Sequence, residues 1–202
     1  MIVGKNITKK FGTLTIFEDL NFEIQDGEFI CFSGESGAGK TTLLNIIGLL
    51  EPIDSGELLI NGKSYKSSRE KREYYKSEAG FLFQNFALME NKTVRQNLEI
   101  VKSDRSNDLS MEEALCRVGL KDKIDNKVYT LSGGEQQRIA LARLILKQCN
   151  IILADEPTGS LDKKNARIVM NLLKELNKEG KIVIIVTHDE EIKNQASRSI
   201  EL

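Results

Sequence analysis

The chain has 202 residues, 40% of them hydrophobic and 29% charged, the composition of an ordinary globular protein that can bury a core without disulfides or metals. Its 29 basic and 30 acidic residues give a net charge of -1, so we expect no general attraction to nucleic acid or to anionic lipid. The three cysteines, Cys31, Cys116 and Cys149, are widely spaced and lack a C-x-x-C pair, which indicates free thiols in a reducing cytosol and argues against a zinc site.

The sequence predicts neither an export signal nor a membrane span. The first six residues have no extended apolar core, so we expect no signal peptide. The longest apolar runs, such as Ile182–Val186, fall far short of the ~20 residues that a spanning helix needs. We therefore expect a cytoplasmic protein. If it works at a membrane, another subunit must supply the spans.

In chain order, β-branched and aromatic residues over 2–11 and 14–24 predict an antiparallel pair of strands, with turn residues between them. A short strand is predicted at 28–33, followed by a buried helix at 42–47. Residues 52–56 predict a turn, and Asn61-Gly62 predicts a tight hairpin after a strand at 57–60. Further strands are predicted at 79–83, 150–154, 181–186 and 199–202, and helices at 68–76 and around 168–176.

Residues 85–131 have a different pattern, which predicts an inserted helical subdomain within a single domain whose core is 1–84 and 132–202. Thr93 with Gln96, and Ser110 with Glu113, form the sequence pattern of a capping box and so predict two helix starts. Residues 102–108 between them are polar and predict a mobile loop. Outside this insertion, strands alternate with helices, which predicts an α/β fold with a mostly parallel sheet and ligands at the carboxyl ends of its strands.

One stretch matches the phosphate-binding loop pattern G-x-x-x-x-G-K-[ST] and stands between a predicted strand and a predicted helix. It consists of Gly34, Glu35, Ser36, Gly37, Ala38, Gly39, Lys40 and Thr41. Glycines let the backbone wrap closely around phosphate oxygens, and the N–H groups at the start of the helix face the anion. Lys40 is expected to reach the β- and γ-phosphates, and the Thr41 hydroxyl to bind Mg²⁺. A chance glycine-rich turn is the alternative, but the flanking elements favour a P-loop NTPase with an ATP-type site, to which we also assign Thr42.

A second candidate motif is the apolar run 151–154 that ends in Asp155 and Glu156. An aspartate at the end of a buried strand beside a phosphate loop is the expected holder of Mg²⁺. Glu156 is then placed to polarise a water in line with the γ-phosphate as a general base. The alternative is a solvated acidic turn before Pro157.

The most diagnostic string is 131–138, which contains Ser132, Gly133, Gly134 and Glu135. Ser132 and Glu135 have the spacing of a capping box, so the string predicts a helix start. The glycines also expose backbone N–H groups at the positive end of the helix dipole, which predicts a second anion site. Both interpretations are compatible.

On these motifs the chain resembles, over essentially its whole length, the nucleotide-binding subunit of ATP-binding-cassette (ABC) transporters. The resemblance implies ATP and Mg²⁺ as cofactors, and a head-to-tail homodimer, or a heterodimer with a related ATPase, with two ATP molecules at the interface. In such a dimer, residues 132–135 of one subunit close on the ATP held by the other. It also implies an integral membrane permease as partner, peripheral attachment to the inner face of the membrane, and no nucleic acid.

Four further positions are assigned from the resemblance alone. Gln84 corresponds to the glutamine that contacts Mg²⁺ and the attacking water, and Asp162 to the aspartate of the loop that crosses the dimer interface. His188, the one histidine, corresponds to the residue that contacts the γ-phosphate. Phe11 corresponds to the aromatic that stacks on adenine, although it could instead be an ordinary core residue.

Residues 83–88 and 155–162 look most like the branch that exports lipoproteins, macrolides and bacteriocins or antimicrobial peptides. An importer ATPase and a cell-division-type ATPase remain alternatives. DNA-repair or translation ATPases of the family are disfavoured, because this sequence has no long coiled coil, zinc cysteines or tandem ATPase domain. Phe86, Leu88 and Met89 could line a groove for a permease helix, or they could form the core of the helical insertion.

Overall fold

A computed structural model describes residues 1–101 and 109–202. Its strands are β1 Ile2–Phe11, β2 Leu14–Ile24, β3 Phe29–Ser33, β4 Ser55–Ile60, β5 Ala79–Leu82, β6 Ile151–Asp155, β7 Ile182–Val186 and β8 Arg198–Glu201. Its helices are α1 Lys40–Ile47, α2 Ser68–Ser77, α3 Val94–Glu99, α4 Met111–Arg117, α5 Gly133–Lys147, α6 Lys163–Lys178 and α7 Glu190–Lys193. The loop predicted at 102–108 lies outside the described residues.

The strands form two sheets, as the alternating pattern predicts. β2, β1 and β4 make an antiparallel sheet in that order. β5, β6, β7, β3 and β8 make a second sheet in that order, in which every pair is parallel. The prediction of an α/β fold with an N-terminal antiparallel sheet is confirmed.

Both faces of the parallel sheet are covered, so its central strands are largely apolar. All five residues of β3 are buried. Phe29 and Cys31 pack with residues of α5 and α6, whereas Ile30 and Phe32 pack with α1 and the antiparallel sheet. This alternation is the period of two that a strand imposes on its side chains.

The structure differs from the predicted boundaries between α1 and β5. Ser55 and Gly56, predicted as part of a turn, belong to β4, because Ser55 pairs with Thr8 of β1. The predicted hairpin is a tight turn in which Ile60 and Lys63 exchange backbone hydrogen bonds of 2.9 and 3.0 Å, but a single bridge replaces a returning strand.

Residues between β5 and α5 form α3, α4 and two 3-10 turns, at Lys121–Lys123 and Val128–Thr130. Both predicted capping boxes are present, at the starts of α3 and α4. Leu88 is half-buried and packs against the core cluster that includes α5, whereas Met89 is 42% exposed. Leu88 therefore fits the core interpretation, and Met89 is the residue left at the surface. Within the described ranges, no helix has both the length and the apolar character needed to cross a bilayer.

Two tyrosines of α2 hold the carboxyl end of α1, where the last carbonyl groups of a helix lack partners within the helix. The Tyr74 hydroxyl donates to the Ile47 carbonyl oxygen at 2.9 Å, and the Tyr75 hydroxyl donates to the Leu49 carbonyl oxygen at 2.7 Å. Tyr74 is fully buried, and Tyr75 is only partly so. Through Tyr74, α2 stabilises the helix that begins at the phosphate loop.

Substitution of Tyr74 by Phe should lower the free energy of unfolding by about 1–3 kcal/mol, because it leaves the buried Ile47 carbonyl without a donor. Tyr75→Phe is the matched control and should cost less, since water can reach the Leu49 carbonyl. Urea denaturation of both variants measures the two values. Equal losses, or no loss for Tyr74→Phe, would contradict this account of the end of α1.

Candidate nucleotide-binding and catalytic site

The candidate residues follow the carboxyl ends of four neighbouring strands of the parallel sheet. β3 leads into residues 34–41, β6 ends at Asp155, β7 is followed by His188, and Gln84 lies just after β5. Because all these strands are parallel, the residues meet at one edge of the sheet. Sequence positions from 34 to 188 therefore come together in one place.

The phosphate loop has a backbone that only glycine accepts at two of its positions. Gly34 has φ 138°, and a Cβ there would lie 2.6 Å from the Leu202 carbonyl oxygen of the adjacent chain end. Gly39 has φ 89°, and its Cβ would lie 2.3 Å from Ile16 Cγ2 of β2. Gly39 is also the N-cap of α1 and offers no side-chain cap. The first N–H groups of α1 are therefore available to an anion.

Hydrogen bonds fix the side chains of Lys40 and Thr41, the first two residues of α1. Lys40 Nζ donates to the carbonyl oxygens of Gly34 and Glu35, at 2.9 and 2.7 Å, so the ammonium lies across the loop. The Thr41 hydroxyl donates to Asp155 Oδ1 at 3.1 Å. Thr42, next along α1, is half-buried. The loop and the end of β6 are thus in direct contact.

Asp155 is a half-buried carboxyl whose surroundings disfavour its charge. Burial raises its pKa, the hydrogen bond from Thr41 opposes that rise, and the nearby charge of Glu156 adds to it. Asp155 and Gln84 line one open cleft of about 520 Å³, together with Phe86 and Ser160. The structure therefore brings together Thr41, Asp155 and Gln84, the three residues predicted to bind metal.

Glu156 is held in place by its backbone and by two side chains after β7. It has φ 44°, an unfavourable value for a residue with a side chain, and its N–H donates to the Val186 carbonyl oxygen at 2.9 Å. The Thr187 hydroxyl donates to Glu156 Oε2 at 3.2 Å, and His188 Nδ1 lies 2.8 Å from Glu156 Oε1. The Glu156 side chain is 18% exposed and that of His188 80% exposed. A fixed carboxylate next to a solvent-facing imidazole can accept a proton from a water and orient it.

Phe11 is exposed rather than part of the core, and a buried lysine lies against its ring. Phe11 is 46% exposed, and Lys9 Nζ lies 4.7 Å from the ring centroid. Lys9 itself is 4% exposed; its ammonium pairs with Glu51 at 2.7 Å and donates to the Pro52 carbonyl oxygen at 2.9 Å. Sequence reasoning missed Lys9, although its position two residues before Phe11 on a strand places both side chains on one face.

The second predicted anion site is the start of α5, where the expected capping box is present. Glu135 N–H donates to Ser132 Oγ, and the Glu135 carboxylate accepts from Ser132 N–H at 2.8 Å. Ser132 and Gly133 are exposed, whereas Gly134 is buried. A Cβ on Gly134 would lie 2.4 Å from Asn165 Cγ, and the Asn165 amide donates to Asp162 Oδ2 at 2.6 Å. The Asp162 loop therefore packs against this helix start.

Within the described ranges, no hydrogen bond or ion pair joins residues 132–135 to residues 34–41. The Asp162 carboxylate, at the N-cap of α6, accepts hydrogen bonds from the backbone and the side-chain amide of Asn165, and within the described residues no hydrogen bond joins it to residues 34–41. Sequence reasoning missed Asn165; the paired glycines, which indicate close approach of another element, are the signal that could have found it. The chain thus carries two separate groups of candidate residues.

A family model described as ABC transporter matches residues 17–159. Over its full length the chain is 38% identical to the macrolide export ATP-binding/permease protein MacB of Bartonella quintana, of which it covers 32%. It is 39% identical to an uncharacterized ABC transporter ATP-binding protein of Methanocaldococcus jannaschii, of which it covers 95%. The chain therefore spans only a minor part of the MacB relative and nearly all of the second.

The fold matches the dimeric structure of the bacterial ABC transporter cassette MJ0796 with a TM-score of 0.90 and 36% identity, covering 100% of this chain and 94% of that one. A post-hydrolysis structure of MJ0796 bound to ADP and Pi matches with a TM-score of 0.87 over the same shares. The family model and both structures cover the phosphate loop and residues 132–156. The chain belongs to the ABC transporter family, and its fold is that of the family's ATPase cassette.

Proposed function

We propose that this chain binds and hydrolyses ATP and that the energy drives export of a substrate through a membrane permease. The observation that carries the proposal is the meeting, at one sheet edge, of a phosphate loop with Asp155, Glu156 and His188. The match to a cassette solved with ADP and Pi supports hydrolysis. The names of the macrolide-export relatives support export.

In the proposed mechanism, the loop amides and Lys40 bind the β- and γ-phosphates, with Thr42 beside them, and adenine stacks on the exposed face of Phe11. Lys9 supports the other face of that ring. Glu156 accepts a proton from the attacking water, and Gln84 and His188 orient this water and the γ-phosphate. The fixed position of the Glu156 carboxylate is what makes it the base in this scheme.

A magnesium ion fits the donor set at the edge of the loop. Thr41 and Asp155 offer hard oxygen atoms within hydrogen-bond distance of each other, and Gln84 lines the same cleft. Among the described residues, no three acidic, histidine or cysteine side chains are arranged so that they alone could hold a metal ion. Mg²⁺ suits such a site, because it is bound through one or two protein oxygens plus substrate phosphates. When bound, it would neutralise charge on the β- and γ-phosphates.

We further propose a head-to-tail dimer, a homodimer or a pair with a related ATPase. Ser132, Gly133 and Glu135 lie on an exposed helix start that, within the described residues, makes no hydrogen bond or ion pair with the phosphate loop of its own chain. A second subunit would bring such a helix start to the γ-phosphate, and Asp162 would lie at the interface. The cassette MJ0796, described as a dimer, supports this arrangement.

The permease partner and the cargo are proposed separately. The MacB relative is named an ATP-binding/permease protein, so we propose a permease partner and attachment of this chain to the inner face of the membrane. A macrolide or another lipophilic compound fits the relatives' names; a peptide or bacteriocin stays a prediction from the motifs alone. Met89, exposed next to the Gln84 loop, is the preferred position for testing permease contact.

Glu156→Gln should keep ATP binding and ATP-dependent dimerisation but lower the hydrolysis rate by ~10²–10⁴-fold, because the amide cannot accept the proton of the water. Glu73→Gln, an exposed change on α2, is the matched control. Phosphate release and size-exclusion chromatography with ATP measure the two effects. Near-normal hydrolysis by Glu156→Gln would exclude this residue as the base.

Gly133→Ala and Gly134→Ala should separate dimer contact from folding. A Cβ on Gly133 would meet only Phe86 Cζ, at 3.7 Å, so Gly133→Ala should keep the stability of the wild type. It should lower ATP hydrolysis by on the order of 10-fold or more, because the Cβ lies beside an exposed N–H donor. Gly134→Ala should instead lower the free energy of unfolding by about 1–3 kcal/mol, because its Cβ displaces Asn165. Calorimetry and phosphate release distinguish them; the reverse pattern would contradict the dimer model.

Asp155→Asn should raise the thermal stability of the nucleotide-free protein at neutral pH. Because the folded protein raises the pKa of Asp155, it favours the protonated carboxyl. This preference adds to the free energy of unfolding at a pH below the usual pKa of aspartate, and it is lost as the pH rises through the raised pKa. The gain should therefore shrink as the pH is lowered, while Mg²⁺-dependent ATP binding weakens at neutral pH.

Asp162→Asn serves as the control for Asp155→Asn. Hydrogen bonds from Asn165 lower the pKa of Asp162, so its stabilising effect is present at neutral pH and is lost as the pH falls. Loss of its charge should not raise the melting temperature at neutral pH. A decrease of Tm for Asp155→Asn at neutral pH would contradict the assigned cost of the buried carboxylate.

A further inference from the structure

Arg143 of α5 is a half-buried cation that binds two carbonyl oxygens instead of a carboxylate. Its Nη1 donates to the Ala87 carbonyl oxygen at 2.6 Å, and its Nη2 donates to the Phe86 carbonyl oxygen at 3.1 Å. Within the described ranges, no carboxylate pairs with this guanidinium, and burial lowers the pKa of Arg143. A partly buried charge is unfavourable unless it is hydrogen-bonded, so the two carbonyl oxygens must stay where the guanidinium can donate to both.

The two carbonyl groups belong to residues with an unfavourable backbone. Phe86 has φ 62° and Ala87 has φ 47°, both in the left-handed region that side chains disfavour. Two such residues in a row persist only where surrounding groups hold them. Within the loop, Phe86 N–H donates to the Phe83 carbonyl oxygen and Ala87 N–H to that of Asn85. Arg143 stabilises these residues from outside the loop, because the two Nη groups of its planar guanidinium fork bind two successive carbonyl oxygens at once.

The same loop starts at Gln84 and touches the first turn of α5. The tip of the Phe86 ring lies 3.7 Å from the position of a Cβ on Gly133. Phe86 also lines the cleft that contains Gln84 and Asp155. The backbone that Arg143 holds is therefore separated from Gln84 by a single residue and lies against the helix start proposed to contact the partner's ATP.

We propose that Arg143 is a positioning residue: by holding the left-handed peptides of Phe86 and Ala87, it places Gln84 at the ATP site of its own chain. The inference rests on the proposed ATP hydrolysis. Gly133 and Arg143 belong to one helix. A movement of α5 as it meets the partner's ATP would therefore shift the Arg143 guanidinium and, with it, the loop that carries Gln84. Arg143 itself does not touch the nucleotide.

The first experiment compares Arg143→Met and Arg143→Lys with Arg167→Met, a control at an exposed arginine of α6. Steady-state ATP hydrolysis by the full chain should show kcat reduced by on the order of 10- to 100-fold in Arg143→Met, because a small misplacement of a positioned group has that effect. The KM for ATP should stay near the wild-type value, since Lys40 and Phe11 are untouched. Arg143→Lys should give an intermediate kcat, because one ammonium cannot reproduce the fork. A kcat of Arg143→Met equal to that of Arg167→Met would overturn the proposal.

The second experiment tests whether Arg143 affects kcat by holding the unfavourable backbone conformation of Phe86 and Ala87. Glycine adopts a positive φ without penalty, so Ala87→Gly placed in the Arg143→Met background should recover part of the lost kcat relative to Arg143→Met. Ala87→Gly alone provides the background value. If Arg143→Met fails to fold, the same comparison is made in Arg143→Lys. A folded double variant with no recovery would mean that Arg143 acts only as general structural support, and the proposal would be wrong.

A readout without catalysis separates this proposal from the proposed function. Hydrogen exchange of the peptide that contains residues 84–88 should speed up in Arg143→Met and remain unchanged in Arg167→Met. If the wild-type protein does not hydrolyse ATP, the proposed function fails, and the exchange rates still decide whether Arg143 holds the loop. Unchanged exchange in Arg143→Met would overturn the positioning role in either case.

Discussion

The register of the parallel sheet is the constraint on which the rest of this structure depends. Asp155, the last residue of β6, and Phe32, the last but one of β3, both pair with Val186, the last residue of β7. The three strands therefore end within one residue of the same row across the sheet. Near this row the phosphate loop follows β3, Glu156 follows β6, and Thr187 and His188 follow β7. A slip of one residue in any of these strands would move the candidate residue that follows it by about 3.3 Å and turn the strand's buried side chains to the opposite face. All residues of β3 and β7 are buried, so such a slip would misfit side chains that are packed on both faces of the sheet, and in this way core packing fixes the spacing of the candidate catalytic groups.

α5 extends this constraint to the loops that the sheet alone does not fix. Gln137 is 1% exposed and donates through Nε2 to the Pro157 carbonyl oxygen at 2.8 Å, directly after Glu156. Its Oε1 has no partner among the described protein atoms, so burial of this amide lowers the stability of the fold. Further along the same helix, Arg143 holds the residues after Gln84. One helix therefore contacts the loop that carries Gln84 and the loop that follows Glu156, both proposed to act on the attacking water, and its exposed first turn is the part proposed to meet a partner.

The sequence predicts the parts of the site that are contiguous and leaves out the parts that meet in space. The phosphate loop, the Asp155-Glu156 pair and the capping boxes each lie within a short segment, where local geometry alone requires particular residue types. Sequence patterns do not predict the roles of Lys9, Asn165 and Arg143. Each of them contacts residues that are far along the chain, and a single Lys, Asn or Arg can have many structural roles. Nor do such patterns predict the left-handed backbone of Glu156, since Glu is not a residue that indicates a positive φ. Similarly, β4 begins earlier than its turn residues suggest because pairing with β1 outweighs local preference.

The start of α5 explains how a capped helix can still bind an anion. Its capping box occupies the N–H groups of Ser132 and Glu135, and hydrogen bonds from Ser132 lower the pKa of Glu135, so that carboxylate is ionised. A negative charge beside a phosphate site would repel the ligand if it were free, but here its oxygen is turned back onto Ser132. The N–H groups of Gly133 and Gly134 lie between the two capped positions and take no part in the box. Of these two residues only Gly133 is exposed, because Gly134 packs on Asn165. The two glycines therefore have different physical roles: the first leaves an exposed donor for the proposed contact with a partner's phosphate, and the second lets the Asp162 loop approach the helix.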